Sequence, residues 1–188
     1  MRPYICLLAV LLVYLAIAST DVGLEVRSQT NTRRANSEKL QPNSLCAGTE
    51  RIVFSCLTKP HGPAKGLSKL ASLCAAHDLT KEQGYLQYRY GLPGKVELEF
   101  PSSRAGTQQQ FHYTHYMRYQ VDLTEINFEI DGYQYQIFDD YNGEERPRIS
   151  TEGVNVSAPG KEKQVSFVCR TKAKADYSIL DDVLEREQ

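Results

Sequence analysis

The stretch Glu125-Ile126-Asn127-Phe128-Glu129-Ile130-Asp131-Gly132-Tyr133-Gln134-Tyr135-Gln136-Ile137-Phe138 alternates apolar and polar residues on both sides of one Asp-Gly step. Asp131-Gly132 is a two-residue hairpin signal, because both central positions of a type I′ turn need positive φ. With those two as the loop, Ile130 faces Tyr133, Phe128 faces Tyr135 and Ile126 faces Ile137. All three apolar pairs then share one side, while Asn127 and Glu129 meet Gln136 and Gln134 on the other. Turn chemistry and strand period agree on one register, so an antiparallel hairpin with one buried face is predicted.

Upstream, a second hairpin is predicted from Tyr85–Tyr90 to Lys95–Phe100 through Gly91-Leu92-Pro93-Gly94. A four-residue loop would put Gln87 and Arg89 on the face of Val96 and Leu98, so an odd loop or a bulge at a glycine is expected. A five-residue loop sets Tyr90 against Val96, Tyr88 against Leu98, Leu86 against Phe100 and Arg89 against Glu97. Further strands are expected at Arg51–Leu57, Leu70–Ala75, Gln109–Val121, Gly153–Ser157 and Gln164–Arg170. The Gln109–Val121 run is long for one strand, which predicts a bend or break inside it. Asn142-Gly143 marks another turn.

Eight or nine short strands without a long helical period indicate an all-β fold, a single antiparallel barrel or sandwich spanning residues 45–170. In the tail, 171–188, Ser178 and Asp181 resemble a capping box ahead of Ile179, Leu180, Val183 and Leu184, so a short helix is expected there.

The N-terminus has the three parts of a secretory signal: Arg2, an apolar run from Tyr4 to Ala18, and the small-residue exit Ala16-Ile17-Ala18 before polar Ser19-Thr20-Asp21. The run is short of the roughly 20 residues a membrane-crossing helix needs, so residues 1–18 are expected to be cleaved and no stable anchor to remain. Residues 19–44 are polar and read as a disordered lead-in. Losing Arg2 from a chain of formal net charge −1 leaves −2, with no basic patch and no electrostatic case for nucleic acid. Cys6 leaves with the signal. Cys46, Cys56, Cys74 and Cys169 remain, which in an oxidising compartment read as two disulfides with three pairings open. They lack the C-x-x-C spacing of a zinc site.

The segments Ile52-Val53-Phe54-Ser55-Cys56, Leu70-Ala71-Ser72-Leu73-Cys74, Gly84-Tyr85-Leu86-Gln87-Tyr88-Arg89-Tyr90-Gly91 and Gly94-Lys95-Val96-Glu97-Leu98-Glu99-Phe100-Pro101 resemble an uncharacterised family of exported Gram-negative bacterial proteins. The resemblance runs from about Cys46 to Arg170 and implies a periplasmic setting, without an activity. Periplasmic lysozyme-inhibitor barrels are a looser likeness in size, export and disulfide use. Their Ser-Gly-Tyr loop has at best an echo in Ser103-Arg104-Ala105-Gly106.

No nucleophile elbow of the G-x-S-x-G type is present, and oxidised cysteines supply no thiolate. His115 falls on an apolar strand face and reads as a hydrogen-bonded core residue. His112, three residues earlier, points to the opposite face and cannot share a metal with it. Glu97 and Glu99 alternate with Val96, Leu98 and Phe100, as on a solvated outer face. The run Asp139-Asp140-Tyr141-Asn142-Gly143-Glu144-Glu145 offers oxygens to Ca²⁺ but lacks the spacing of a calcium loop. No metal or cofactor is assigned. Twelve tyrosines against no tryptophan remain to be explained. Tyr88, Tyr133 and Tyr135 fall on inner faces. Tyr85, Tyr116 and Tyr141 fall on polar faces or near turns, and exposed tyrosine suits recognition of proteins or glycans.

The reading that follows is a periplasmic or secreted, non-enzymatic module that binds or inhibits another protein, such as a cell-wall hydrolase or a toxin. Its contact residues are expected to be His112, Tyr116 and Arg118, with Arg89. An envelope glycan-acting hydrolase and a structural envelope protein are the alternatives. Converging Glu, His or Asp side chains in a pocket would favour the hydrolase, and a protruding Tyr/Arg patch the binder.

Overall fold

The computed structural model describes residues 39–61, 66–161 and 163–184. The signal-peptide reading of residues 1–18 lies outside them. The strands are β1 (Arg51–Leu57), β2 (Leu70–Ala75), β3 (Leu86–Leu92), β4 (Lys95–Phe100), β5 (His112–Arg118), β6 (Val121–Ile130), β7 (Tyr133–Asn142), β8 (Ile149–Ser157), β9 (Gln164–Val168) and β10 (Lys174–Ala175), followed by helix α1 (Ser178–Asp181). They form two five-stranded antiparallel sheets, ordered β10-β1-β2-β3-β4 and β5-β6-β7-β8-β9. The fold is therefore a sandwich of two consecutive meanders, closed by a chain end that returns beside β1. The nine expected strands are all present, and only the two-residue β10 is additional.

The Asp131-Gly132 hairpin has the expected register, with Ile130 opposite Tyr133, Phe128 opposite Tyr135 and Ile126 opposite Ile137. Its two turn residues have φ of 50° and 80°. The second hairpin differs. Its turn is Pro93-Gly94, the irregularity falls between Tyr90 and Gly91, and Arg89 faces Glu99 instead of Glu97. The shift is two residues, so every side chain keeps its expected face. Gly91 permits it: a Cβ there would lie 2.5 Å from the Lys95 carbonyl oxygen. The long run breaks at Tyr119-Gln120, where Gln120 adopts φ 59° and β5 turns into β6. At α1 the Ser178 hydroxyl bonds Asp176 at 2.5 Å and does not cap the helix, whose N-cap position is Tyr177. The four-residue helix is held by burial of Ile179 and Leu180.

Phe128 sits at the centre of the core, with the rings of Tyr88, Phe100, Phe111 and Tyr135 at 5.0–5.7 Å. Tyr88 and Tyr135 pack inward as expected, but Tyr133, beside the turn, is 44% exposed. The other face of the first sheet is also covered. Ser55, Ser72, Gln87 and Arg89 are buried there beneath residues 39–50. Leu45 N–H donates to Ser72 Oγ at 3.1 Å and the Ser55 hydroxyl donates to the Asn43 carbonyl at 3.0 Å. This corrects the expected lead-in boundary. Residues 39–44 pack on the first sheet, where the Asn43 carbonyl accepts from Ser55, while residues 19–38 lie outside the described residues.

Two disulfides form. Cys46–Cys74 pins the covering segment to β2, and Cys56–Cys169 ties β1 to the residue after β9, across the two sheets. By the chain-entropy account, closing loops with separations of 28 and 113 contributes about 3–4 and about 5 kcal/mol. Two disulfides suit an oxidising compartment. Among the described residues no helix is long and apolar enough to cross a membrane.

Candidate functional site

The inner face of the second sheet changes character row by row. Tyr113, Ile126, Ile137, Val154 and Phe167 face one another across β5 to β9 and form an apolar row in the core. Two residues along, toward the β5–β6 turn, the row is His115, Thr124, Asp139 and Glu152. The next is Met117, Asp122, Tyr141 and Ser150. Alternation thus carries the same face from core to a polar cleft of about 340 Å³, completed by Lys172 and Tyr177 of the returning C-terminal chain. A second hollow of about 340 Å³ shares Ser150, Glu152 and Lys172 and adds the cations Lys59 and Arg170. The groove is acidic on one side of Glu152 and basic on the other.

Inside the cleft, His115 Nε2 lies 2.8 Å from Asp122 Oδ1. The Tyr177 hydroxyl donates to Asp139 Oδ2 at 3.1 Å, and Ala173 N–H donates to the Glu152 carboxylate. Burial pushes the Asp139 pKa up against the Tyr177 hydrogen bond that lowers it, and nearby Asp122 adds to the rise. Burial likewise raises Glu152, opposed by the Ala173 amide, with Asp139 directly across the strand pair adding to the rise. Like charges directly opposite are unfavourable in a sheet. Lys172, which lines the cleft, lowers both values without outweighing burial, so further positive charge there would still be favoured.

His112, Tyr116 and Arg118 lie on the outer face of the same hairpin, all exposed. His112 and Arg118 are six residues apart on one strand, a span of roughly 20 Å, so they mark two ends of an edge and not one compact patch. Arg118 pairs through both terminal nitrogens with Glu144 at 2.5 and 2.7 Å. Tyr116, Met117 and Tyr119 are 51%, 71% and 83% exposed around the turn.

Arg89 is not part of this surface. It lies in the other sheet, 3% exposed, and its guanidinium donates to Glu50 at 2.6 and 2.8 Å, to Leu45 O, to Gln87 Oε1 and to Glu99. Strand alternation puts Arg89 on the outward side as expected, but residues 39–50 cover that side. Tyr85 is drawn into the same knot. Its hydroxyl donates to Glu50 at 2.7 Å, and burial followed by that hydrogen bond and the Glu50 charge pushes its pKa up to about 12.

The acidic run 139–145 does not converge on one point. Asp139 faces the cleft, Asp140 the opposite side, and Glu144 is held by Arg118. Among the described residues the one cluster with metal-ligand proximity is Cys46, Glu50 and Cys74, whose two sulfurs are joined to each other. Asp139 was weighed only as part of the acidic run and Glu152 not at all, yet half of the signal for their pairing was present: continuing the Asp131-Gly132 hairpin by period two places Ile137, Asp139 and Tyr141 on one face. The other half, Tyr177 and Lys172, arrives through tertiary contact alone. No family model matches the chain, and no curated protein or solved structure matches it either.

Proposed function

We propose that the chain is an exported, non-enzymatic binding module that engages another protein, such as a cell-wall hydrolase or a toxin, through the β5–β6 hairpin. One observation carries this reading: Tyr116, Met117 and Tyr119 stand exposed together at the hairpin end of an edge strand. Large, rigid or adaptable side chains grouped this way are typical anchors of protein interfaces. Among the described residues β5 pairs with β6 alone, so its outer backbone groups are open to a partner strand. Met117 faces the same side as Asp122, at the lip of the acidic cleft. The matching partner has an apolar contact beside a basic side chain that reaches Asp122, Asp139 and Glu152. The resemblance to exported Gram-negative proteins supports a periplasmic or secreted setting for the encounter.

The second reading, a glycan-acting hydrolase, draws on the facing carboxylates Asp139 and Glu152. Both carboxylates are already engaged by the protein's own Tyr177 and Ala173, which favours the binder. The test compares wild type with Tyr116→Ala/Tyr119→Ala in capture from periplasmic extract, read by mass spectrometry. A stoichiometric partner retained by wild type and lost from the double variant supports the reading. Turnover of peptidoglycan fragments that Asp139→Asn abolishes and the tyrosine variant leaves intact would overturn it in favour of the hydrolase.

A further inference from the structure

On the side of the core formed by β3, β4 and β7–β9, the two sheets do not meet completely. A cavity of about 140 Å³ lies between them, lined by Tyr88, Tyr90, Leu98, Tyr135, Val156 and Phe167. It shares no residue with the acidic cleft or with the hairpin surface. Its walls are aromatic and aliphatic, and the tyrosines are the only titratable groups that line it. Tyr88 is 2% exposed. Its hydroxyl is not sealed in the protein, the one buried side-chain polar atom without a partner among the described residues being Gln108 Oε1, and Tyr90 and Tyr135 are only half-buried.

A buried tyrosine hydroxyl normally finds a partner. One that instead opens onto a cavity offers a polar contact to whatever enters. The size sets the class of molecule, since an apolar cavity of about 150 Å³ accommodates benzene. The walls set its character. Tyr90 and Phe167 meet edge to face at 5.7 Å, and Tyr88 and Tyr135 are tilted at 6.1 Å, so ring faces and edges border the space. No carboxylate or cation is among the lining residues, and Lys69, over the Tyr90 ring at 5.5 Å, is already paired with Glu97.

We propose that this seam binds a small, uncharged, single-ring aromatic molecule bearing a hydroxyl group, of phenol dimensions. The ring fills the apolar space and the hydroxyl exchanges a hydrogen bond with Tyr88.

The experiment titrates the oxidised, full-length chain with phenol and with benzene while following the tyrosine ring signals by NMR. Phenol is expected to shift the Tyr88, Tyr90 and Tyr135 signals saturably, with benzene at least about tenfold weaker, and Tyr88→Phe to bring the two within about twofold. Val156→Phe, which fills the space from one sheet, is expected to abolish binding; Leu98→Phe fills it from the other sheet should the first variant not fold. Several outcomes would overturn the proposal: no saturable shift up to the solubility limit, phenol binding that persists in both filled variants, or a crystal structure with only water on the three hydroxyls. So would signals that respond to an added protein but never to phenol, which would reassign the seam to a partner's side chain.

Discussion

Glu50 and Glu152 are buried to the same extent, each 6% exposed, yet the fold treats them in opposite ways. Glu50 receives two guanidinium donors from Arg89, the Tyr85 hydroxyl and the Ala47 amide. Burial opposes its charge, but those donors hold its pKa below the ordinary value. Glu152 receives the Ala173 amide and feels the Lys172 charge, but no cation bonds it and it faces another carboxylate, so burial prevails and its pKa rises. Equal burial therefore says nothing about role until the partners are counted. A saturated carboxylate staples the N-terminal segment to the first sheet. An under-compensated pair on the second sheet is a site waiting for charge, which is where function is sought.

The contrast is broken most severely from the Glu50 side. Arg89→Met leaves buried Glu50 only the exposed Arg104, 3.9 Å away, and is expected to lower stability by about 3 kcal/mol in urea denaturation. Neutralising the other pair is expected to act in the opposite sense. Asp139→Asn/Glu152→Gln keeps acceptors for Tyr177 and Ala173 but removes the repulsion, so its urea midpoint should exceed that of wild type at neutral pH.

The pH dependence sharpens the same point. Raised carboxylate pKa values mean that the folded state holds protons more tightly, so the Asp139 and Glu152 contribution to stability falls as pH rises from the ordinary carboxylate range through their folded values. Glu50, lowered, contributes fully above that range and its contribution is lost as pH falls through its folded value. The wild-type and double-variant midpoints should therefore converge on mild acidification, and both should then drop together at stronger acid. Parallel curves at all pH values would show that the cleft carboxylates carry no strain.

Smaller effects test the edges of the comparison. Tyr177→Phe removes the donor to Asp139 and is expected to cost about 1 kcal/mol, with a further rise in the Asp139 pKa visible by carboxyl NMR. Tyr116→Ala/Tyr119→Ala is expected to change stability by less than about 0.5 kcal/mol while removing partner binding. A large loss of stability there would mean that the hairpin side chains are part of the fold and not of an interface.

How much of this was legible before the structure depended on the range of the interaction. The Asp131-Gly132 hairpin was readable to the residue because turn type and period-two alternation both act between near neighbours. A bulge at a glycine was one of the two repairs expected from parity, and it falls at Gly91, but the cross-strand register was not legible, since parity survives a two-residue shift. Arg89 was placed on the correct face and given the wrong surroundings, because nothing local reveals that residues 39–50 fold over that face. That Tyr116 and Arg118 stand exposed on the outer face of their strand followed from the same local alternation. The cleft was half visible, in the alternation that puts Asp139 beside Ile137. It needed the returning C-terminal chain to become a site.

The amino-acid order alone determined the strands, the faces of their side chains, the chief turns and the supply of four cysteines that can pair. These follow from steric and periodic rules that operate over a few residues. Only the tertiary structure decided which cysteines join, which polar face is sealed and which left open, and which buried carboxylate meets a cation. Those outcomes depend on segments far apart in the chain arriving at the same place, where desolvation and compensating charge are settled together.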